Sequence, residues 1–169
     1  MTPDPGRSRG APCAITSATR AERAAVWTLL EAWKPGQRST AATFVNSGDQ
    51  RSTFLLARLA GEPVGVLEGH HDWGNWQLLA DWCHLTDADS GSYLISLYVD
   101  PRFRSHGVGS ELVNAFTEQS IEAGSPVVVT IPDEDSDHRD ARLRFFERCG
   151  FGPIPVTMPQ PTWIWGRTL

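Results

Sequence analysis

The sequence predicts one mixed α/β domain of the α+β class, and three observations carry that prediction. The chain of 169 residues has the length of one domain and can bury a sizeable core. Apolar runs of strand length alternate along it with segments of helical periodicity. A strand–loop–helix unit occupies the middle, and no repeat or composition change marks a second domain. We therefore expect a single domain over residues 13–169, preceded by a disordered lead-in over residues 1–12 that is rich in Pro, Gly and Arg.

The first half of the chain predicts a strand, a helix and a hairpin. Cys13 to Thr16 is a short strand, and the following helix starts at a capping box formed by Thr19 and Glu22. Apolar residues at helical spacing give that helix one buried face, made of Val26, Leu29, Leu30 and Trp33. Two later apolar runs flank the turn sequence AGEP and predict a hairpin, with strands from Phe54 to Leu59 and from Val64 to Glu68.

The second half predicts two buried strands that alternate with two helices. The run Tyr93 to Asp100 is nearly continuous in apolar residues, as strands buried on both faces are. A helical pattern then runs from Val108 to a stop at Gly124. The strand PVVVTI and a second helix that ends at Gly150 follow, and two short strands around a Pro-rich turn come last.

Composition and charge exclude several classes of protein. The net charge of −5 argues against a nucleic-acid binder with a broad basic surface, and no apolar run reaches membrane-spanning length. The three cysteines, Cys13, Cys83 and Cys149, are widely spaced and predict neither a disulfide framework nor a metal site. The N-terminus lacks the apolar core of a signal peptide. We therefore expect a cytoplasmic protein with no metal, no nucleic-acid partner and no membrane partner.

The stretch RFRSHGVGS, residues 102–110, combines positive charge with little side-chain bulk where a helix should begin. Such a loop presents unpaired backbone N–H groups and the positive end of the helix dipole. Gly107 and Gly109 would let an anion approach the main chain, and Arg104 would add a charge-assisted contact, with Arg102 and His106 nearby. We interpret the stretch as a phosphate cradle. The alternative is a glycine-containing turn that only starts a helix.

Residue spacing disfavours three other kinds of site, two at this loop and one in the chain as a whole. A Walker-type loop ends in Gly-Lys-Ser/Thr, which is missing, and Leu112 stands where a dinucleotide fingerprint needs its third glycine. No Ser, His and Asp follow the nucleophile-elbow spacing of a hydrolase.

The segment LYVDPRFRSHGVGSELV resembles the acyl-CoA-binding segment of the Gcn5-related N-acetyltransferase (GNAT) superfamily. The family pattern is a hydrophobic strand ending in Val, then x-Pro, then Arg/Gln-x-x-Gly-x-Gly/Ala, and the matching residues are Val99, Pro101, Arg104, Gly107 and Gly109. The later segment LRFFERCGF is similar to the second family signature, in which a helical aromatic residue precedes Gly-Phe. The order of elements agrees over nearly the whole chain.

The resemblance implies a mostly antiparallel sheet that is splayed at the acyl-CoA strand and flanked by helices. It implies acetyl-CoA as co-substrate, with the pyrophosphate held by the backbone of Arg104, Ser105, His106, Gly107, Val108, Gly109 and Ser110. The pantetheine arm would pair with the strand edge at Leu97, Tyr98 and Val99. A main-chain amide near Tyr98 or Val99, assigned to Tyr98, would polarise the thioester carbonyl. The acetyl group would pass directly to a primary amine, without a covalent enzyme intermediate.

The sequence departs from the family pattern at the helical aromatic position a few residues before the Gly-Phe pair. Many members carry a tyrosine at this position, and its phenol protonates the departing thiolate. This chain has Phe146 instead. The identity of the general base is also open. Glu68 and His70 lie on one side of the second hairpin strand by alternation, and Asp133 follows the strand PVVVTI near the expected splay. All three are also explained as strand-end or loop residues without a catalytic role.

Other polar residues receive weaker hypotheses. His71 and His106 are expected at the surface, and Ser96 and Tyr98 lie on the cofactor strand, where they either face substrate or pack. The tryptophans of TWIWGRTL suit the edge of a homodimer or the core equally well.

The segment 72–92 suggests the nature of the acceptor. It contains three tryptophans and four aspartates, has no period, and is interpreted as a long connection. Aromatic faces beside carboxylates suit a cation, so a small-molecule amine is the expected acceptor, in preference to a protein. A surface cover whose tryptophans plug the core is the alternative. Two other functions stay open: an acyl-CoA-binding sensor or interaction domain with little or no catalysis, and a transferase of another acyl group or to a hydroxyl.

Overall fold

One seven-stranded sheet and three α-helices build the domain over the described residues, which are 13–33, 52–71, 90–132, 138–155 and 164–169 of a computed structural model. The strands are β1 (Ala14–Ser17), β2 (Ser52–Leu59), β3 (Glu62–His70), β4 (Ser92–Val99), β5 (Val127–Thr130), β6 (Gly152–Ile154) and β7 (Ile164–Thr168). The helices are α1 (Arg23–Trp33), α2 (Val108–Glu122) and α3 (Arg139–Arg148). Short 3-10 turns at Arg20–Glu22 and Pro101–Phe103 precede α1 and α2.

The strand order is β1-β2-β3-β4-β5-β7-β6. Neighbouring strands run antiparallel, except that β4 and β5 are parallel. The parallel pair is joined by the crossover through α2, as a parallel connection requires. The predicted mixed, mostly antiparallel sheet flanked by helices is therefore confirmed.

Helices cover both faces of the sheet, and each face has its own apolar cluster. On one face α1 packs on the sheet through Val26, Leu29 and Leu30, which meet Phe54, Leu56, Val66 and Tyr98. On the other face α2 and α3 pack through residues that include Leu112, Val113, Phe116 and Phe146. Each fully buried side chain of this size stabilises the fold by about 1.5–3 kcal/mol. β4 therefore lies in the centre of the sheet, between two covered faces.

The predicted capping box forms, with one difference in its bonds. The Thr19 backbone N–H donates to Glu22 Oε2 at 2.8 Å, and the Thr19 hydroxyl also donates to that oxygen at 2.9 Å. The threonine side chain thus donates to the carboxylate, where a standard box has it accept from the helix. Arg58 of β2 donates to Glu22 Oε1 at 2.7 Å. The Thr19 amide, followed by Arg58, lowers the pKa of Glu22 to about 2, so the carboxylate links the start of α1 to the sheet.

The hairpin and the C-terminal strands also follow from local sequence. β2 and β3 are joined at Ala60 and Gly61, whose φ values of 50° and 83° match the two positive-φ positions of a tight hairpin turn. β7 lies between β5 and β6, and its Trp165 is 5% exposed. Of the two explanations for the tryptophans of TWIWGRTL, the core is correct for Trp165. Among the described strands, β5 and β6 pair with the two edges of β7 at Trp165 and Gly166.

His71, expected at the surface, instead takes part in a half-buried polar cluster at the end of β3. Its ring stacks on Phe116 of α2, with centroids 4.6 Å apart. Ring Nδ1 lies 3.2 Å from both Ser92 Oγ and Ser120 Oγ. The expectation was wrong because the serines that surround the ring come from β4, α2 and the start of β5, which are distant in sequence.

The serines of this cluster are hydrogen-bonded to one another and to the backbone. Ser92 donates to Ser125 Oγ, Ser125 donates to the His71 carbonyl, and Ser120 donates to the Phe116 carbonyl. This arrangement matches a His71 ring that donates from Nδ1. The side chain of His71 thus links the end of β3 to β4 and α2.

None of the described helices is long and apolar enough to cross a membrane. The N-terminal segment 1–12 and most of the segment 72–92 lie outside the described residues.

The His71 cluster predicts how stability depends on pH. Burial lowers the pKa of His71 from 6.5, and the neighbouring His70 lowers it further. The unfolded chain then binds more protons near pH 6 than the folded chain, so the free energy of unfolding should decrease as pH falls below about 6.5. His71→Asn keeps an N–H donor but does not titrate. We expect urea denaturation to show a shallower acid dependence for this variant, and an unchanged slope would contradict the assignment.

Candidate functional site

The central feature of the site is the point where β4 and β5 separate. The two strands pair only over Ser92–Leu94, opposite Val128–Thr130. From Ser96 to its end at Val99, β4 continues along β3 alone, and no other described strand pairs with its second edge. The splay expected at this strand is therefore present, and it leaves a strand edge facing a gap.

A β-bulge in β4 lies at the same position as the separation. Glu68 of β3 pairs with Ser96, whereas the next residue, Gly69, pairs with Leu94. Ile95 is thus an extra residue in β4, and an inserted residue bends its strand and increases the local twist. The bulge gives a physical reason why β4 leaves β5 here.

Backbone alternation determines which amides of β4 face the gap. The Asp100 N–H donates to the Val64 carbonyl of β3 at 2.9 Å. Polar backbone groups alternate between the two edges of a strand, so Tyr98 also directs its N–H toward β3, whereas Leu97 and Val99 direct theirs into the gap. The Val99 carbonyl, on the gap side, accepts a hydrogen bond from Arg104 Nε at 3.1 Å. The geometry therefore favours Leu97 and Val99 over Tyr98 for contact with a thioester carbonyl.

The loop after β4 separates the roles of its two arginines. Arg102 bonds to Asp100 through Nη2 at 2.7 Å and through Nε, and it reaches Glu62 at 3.4 Å. These hydrogen bonds lower the pKa of Asp100. Arg102 is thus largely neutralised within the protein, and the positive charge of the loop that is directed to the β4 edge is that of Arg104.

The segment that begins α2 has the backbone of an anion cradle. Ser105 and Gly107 adopt positive φ values of 65° and 83°. The His106 Nδ1–H donates to the Arg104 carbonyl at 2.8 Å and holds the loop in shape. Gly107 is the N-cap of α2 and supplies no side-chain cap, and a Cβ at this position would meet nothing within 4 Å. No side chain at the N-cap therefore takes up the N–H groups of the first helical turn, and these lie at the positive end of the helix dipole.

Gly109 has a structural role beyond the one inferred from the sequence. A Cβ added there would lie 3.2 Å from the ring of Phe145 and 3.7 Å from Val99. The missing side chain thus lets α3 pack against the start of α2, next to the cradle. A bulky substitution at Gly109 would displace Phe145, so Gly107 is the better position for testing the loop.

Phe146 occupies the position where the family pattern carries a tyrosine, and its ring lies in the core. It is 4% exposed and makes edge contacts with Phe145 and Phe151, at centroid distances of 5.3 and 5.5 Å. This side chain has no proton to give, so a leaving group would depart without help from it.

The three candidates for the general base differ in burial and in whether the structure describes them. Glu68 is 1% exposed and accepts a hydrogen bond from Ser96 Oγ at 3.2 Å. It lies two residues beyond Val66, which packs on α1, so both side chains point to the α1 face. His70 lies two residues further along β3, on the same face of the sheet. It is partly exposed and lies opposite Tyr93 of β4. Asp133 lies outside the described residues.

Sequence reasoning did not predict the bond between Ser96 and Glu68. Ser96 was expected either to face substrate or to pack, and the bulge at Ile95 is what brings it opposite Glu68. No signal in the apolar run YLISLYV indicates the extra residue. In the described part of the chain, no group of three or more His, Cys, Asp or Glu side chains is arranged to hold a metal ion.

Comparison with known proteins decides the family. The pattern of the acetyltransferase (GNAT) family matches residues 21–151, which include the splayed strand, the cradle and α3. The chain belongs to the GNAT family. It is also 27% identical over 128 residues to the L-amino acid N-acyltransferase MnaT of Escherichia coli K12, an alignment that covers 72% of this chain and 68% of MnaT.

GNAT enzymes of known structure share the fold at low sequence identity. Aminoglycoside N-acetyltransferase AAC(6')-Iy in complex with coenzyme A is 16% identical, with a TM-score of 0.68 over 92% of this chain and 98% of that chain. The ribosomal-protein-S18-alanine N-acetyltransferase of Escherichia coli is 13% identical, with a TM-score of 0.66 over 93% and 94%. The PaiA N-acetyltransferase of Thermoplasma acidophilum, in complex with coenzyme A, is 12% identical, with a TM-score of 0.64 over 94% and 99%.

The left-handed backbone of Gly107 gives a test of the cradle. Gly107→Val should disfavour the positive φ by about 1–2 kcal/mol and weaken coenzyme A binding roughly 5- to 30-fold. Gly107→Asn should retain most of the affinity because asparagine tolerates this conformation. The measurement is calorimetric titration with coenzyme A.

Gly61 supplies the matched control for this experiment. It has the same φ of 83° and equally empty surroundings, but it lies in the β2–β3 turn. Gly61→Val should lower the melting temperature without changing coenzyme A affinity. If Gly107→Val and Gly61→Val lose coenzyme A affinity equally, the assignment of the pyrophosphate site to the loop at Gly107 is wrong.

Proposed function

We propose that the chain is an acetyl-CoA-dependent N-acetyltransferase that moves the acetyl group directly to a primary amine of a small acceptor. One observation carries the proposal: the unpaired gap-side edge of β4 lies beside the open N-terminus of α2. An extended arm with amide groups fits the strand edge, and a pyrophosphate fits the helix terminus. Coenzyme A carries both groups in one molecule.

The residues present fit acetyl-CoA at each part of the proposed site. The cradle would hold the pyrophosphate through the backbone N–H groups of Ser105, His106, Gly107, Val108, Gly109 and Ser110. The Arg104 N–H, also expected there, instead donates to the Pro101 carbonyl at 3.4 Å. The Arg104 guanidinium, which touches the β4 edge through the Val99 carbonyl, would add the charge-assisted contact. The bound co-substrate supplies an activated acetyl thioester.

The amides of Leu97 and Val99 would stabilise the negative charge that develops on the thioester carbonyl oxygen. They point into the gap and belong to a strand held by β3 on its other side, so they need no rearrangement as negative charge develops on the carbonyl oxygen. A preorganised donor of this kind contributes about 2.7–4 kcal/mol to the stability of the transition state.

Among the base candidates we assign Glu68. Its carboxyl group is buried in the sheet and hydrogen-bonded to Ser96 beside the splay, a placement that costs free energy and is often found at functional sites. His70 on the same row and Asp133 in the loop after β5 are the alternatives. Glu68 would take the proton that an ammonium acceptor has to lose before its nitrogen can attack.

Direct transfer fits the chemistry of the cysteines that the structure describes. Burial raises the pKa of Cys13, and burial also raises that of Cys149. Both thiols therefore stay protonated near neutral pH and are poor nucleophiles.

With Phe146 at the position of the family tyrosine, the coenzyme A sulfur would leave as a thiolate, which a thiol pKa of about 8.5 permits.

A small amine as acceptor is supported by the named activities of relatives. MnaT acts on L-amino acids and AAC(6')-Iy on an aminoglycoside, whereas the S18 enzyme acts on a protein N-terminal alanine. A screen should therefore contain L-amino acids, aliphatic diamines and polyamines, an aminoglycoside, and a peptide with a free N-terminus. Thiol release from acetyl-CoA reports turnover with each.

A second function is favoured by Phe146 alone. Because the phenol of the family pattern is absent, the chain could bind acyl-CoA as a sensor without efficient transfer. Micromolar binding of acetyl-CoA without thiol release for any amine of the panel would support this alternative and reject the transferase.

The assignment of Glu68 predicts a separation of turnover from binding. Glu68→Gln keeps the size of the side chain and an acceptor for Ser96, but it removes the base. We expect kcat to fall about 100-fold or more, in the range typical of a lost general base, while acetyl-CoA affinity stays within about twofold. Thiol-release kinetics and calorimetry measure the two quantities.

His70→Gln is the comparison variant on the same row. If His70→Gln loses turnover and Glu68→Gln retains it, His70 is the base and the assignment to Glu68 is wrong. A circular dichroism spectrum equal to that of wild type shows that each variant is folded.

A further inference from the structure

The α1 face of the sheet changes character where it passes the splay. Val66 and Tyr98, which pair across β3 and β4, form an apolar row under α1. The next row contains Glu68 and Ser96 instead. A carboxylate and a hydroxyl therefore lie on this face at the position where β4 leaves β5.

Burial differs sharply between the two side chains. Glu68 is 1% exposed, whereas Ser96 is partly exposed. A substrate on this face therefore reaches the serine hydroxyl more readily than the carboxylate beneath it. Any proton that passes between substrate and Glu68 has a direct route through Ser96 Oγ, which is 3.2 Å from Glu68 Oε2.

The direction of the hydrogen bond determines what Ser96 can recognise. A serine hydroxyl has one proton and two lone pairs, and Ser96 gives its proton to Glu68. Toward a ligand it presents lone pairs only, so it binds an N–H or O–H donor and not a carbonyl or carboxylate. An ionised Glu68 beside it would favour a donor that is a cation.

We propose that Ser96 binds the ammonium nitrogen of the acceptor and relays its proton to Glu68, an inference that rests on the function proposed above. One ammonium proton passes to Ser96 Oγ while the serine proton passes to Glu68 Oε2. The nitrogen lone pair then forms the bond to the acetyl carbon as the carbon–sulfur bond breaks and its electron pair leaves on sulfur. A second proton from nitrogen neutralises the thiolate, and Glu68 returns the first to solvent.

The observed length of the serine–carboxylate bond fits this role. Bonds from a hydroxyl to a carboxylate are about 2.5–2.7 Å at their strongest, so 3.2 Å leaves room for shortening. Hydrogen bonds between catalytic groups commonly tighten when substrate binds. Ser96 also precedes Leu97, whose amide faces the gap, so ammonium binding and carbonyl polarisation would occur at adjacent residues of β4.

The test compares Ser96→Ala, Ser96→Thr and wild type with the amine of the panel that gives the highest thiol release. Near neutral pH, Ser96→Ala should lower kcat/KM about 100-fold. The deficit should shrink as pH approaches about 10, because an aliphatic amine then carries its own lone pair. Ser96→Thr keeps the hydroxyl and should restore most of the activity at every pH.

Two binding measurements accompany the rates. Coenzyme A affinity should be the same in all three proteins, which shows that the cradle and the fold are intact. Affinity of the same amine for the coenzyme A complex should fall in Ser96→Ala and recover in Ser96→Thr, a readout that does not depend on turnover.

Each remaining outcome overturns the relay. A deficit that is constant across pH indicates a structural role for Ser96, and an unchanged rate indicates that Glu68 or another base acts directly. If wild type binds coenzyme A but acetylates no amine, the proposed function fails first and the relay fails with it. Failure of the relay alone leaves wild-type turnover intact.

Discussion

The site depends on one constraint: β4 cannot follow both of its neighbours once Ile95 is inserted. Up to Leu94 the strand pairs with β3 and β5, and beyond the bulge it keeps only β3. The backbone groups on its second edge then need partners from outside the ladder, because a polar backbone without a partner is costly when water is excluded. Arg104 supplies one at the Val99 carbonyl, and a ligand with amide groups can supply others.

Beyond the bulge, β4 directs its backbone amides and its side chains to three different surroundings. In the plane of the sheet, Leu97 and Val99 direct their amides into the gap, where a thioester arm would lie. Toward α2, the side chains of Leu94, Leu97 and Val99 contribute to the core or pack against it. Toward α1, Ser96 meets Glu68. In the proposed site, cofactor binding would use the in-plane edge of β4 and acceptor chemistry its α1 face, where Tyr98 also packs in the core.

Local patterns were enough to predict the elements of the fold and the position of the glycine-containing loop at the start of α2. Turn residues, helix starts and apolar periodicity identify the hairpin, α2 and its glycine loop, and alternation places Glu68 and His70 on one face because the β2–β3 register is regular there. The bulge could not be predicted, since one extra residue in a continuous apolar run breaks no pattern. The Ser96–Glu68 bond and the preference for Leu97 and Val99 over Tyr98 both follow from β4 geometry. The burial of His71 depends on serines that are close only in the folded chain.

Backbone chemistry would make the proposed site tolerant of changes in sequence. The proposed cradle and oxyanion donors are main-chain N–H groups, so they would require a conformation at Gly107 and a bulge in β4 and few particular side chains. Structures at 12–16% identity can therefore keep the same fold. Acceptor choice, in contrast, depends on side chains, and related folds serve an aminoglycoside and a protein N-terminus. On the α1 face of this chain, the proposed acceptor contacts are the Ser96 hydroxyl and the Glu68 carboxylate to which it donates. As proposed, that pair would select for the charge of the acceptor nitrogen, and other parts of the protein would contact the rest of the acceptor.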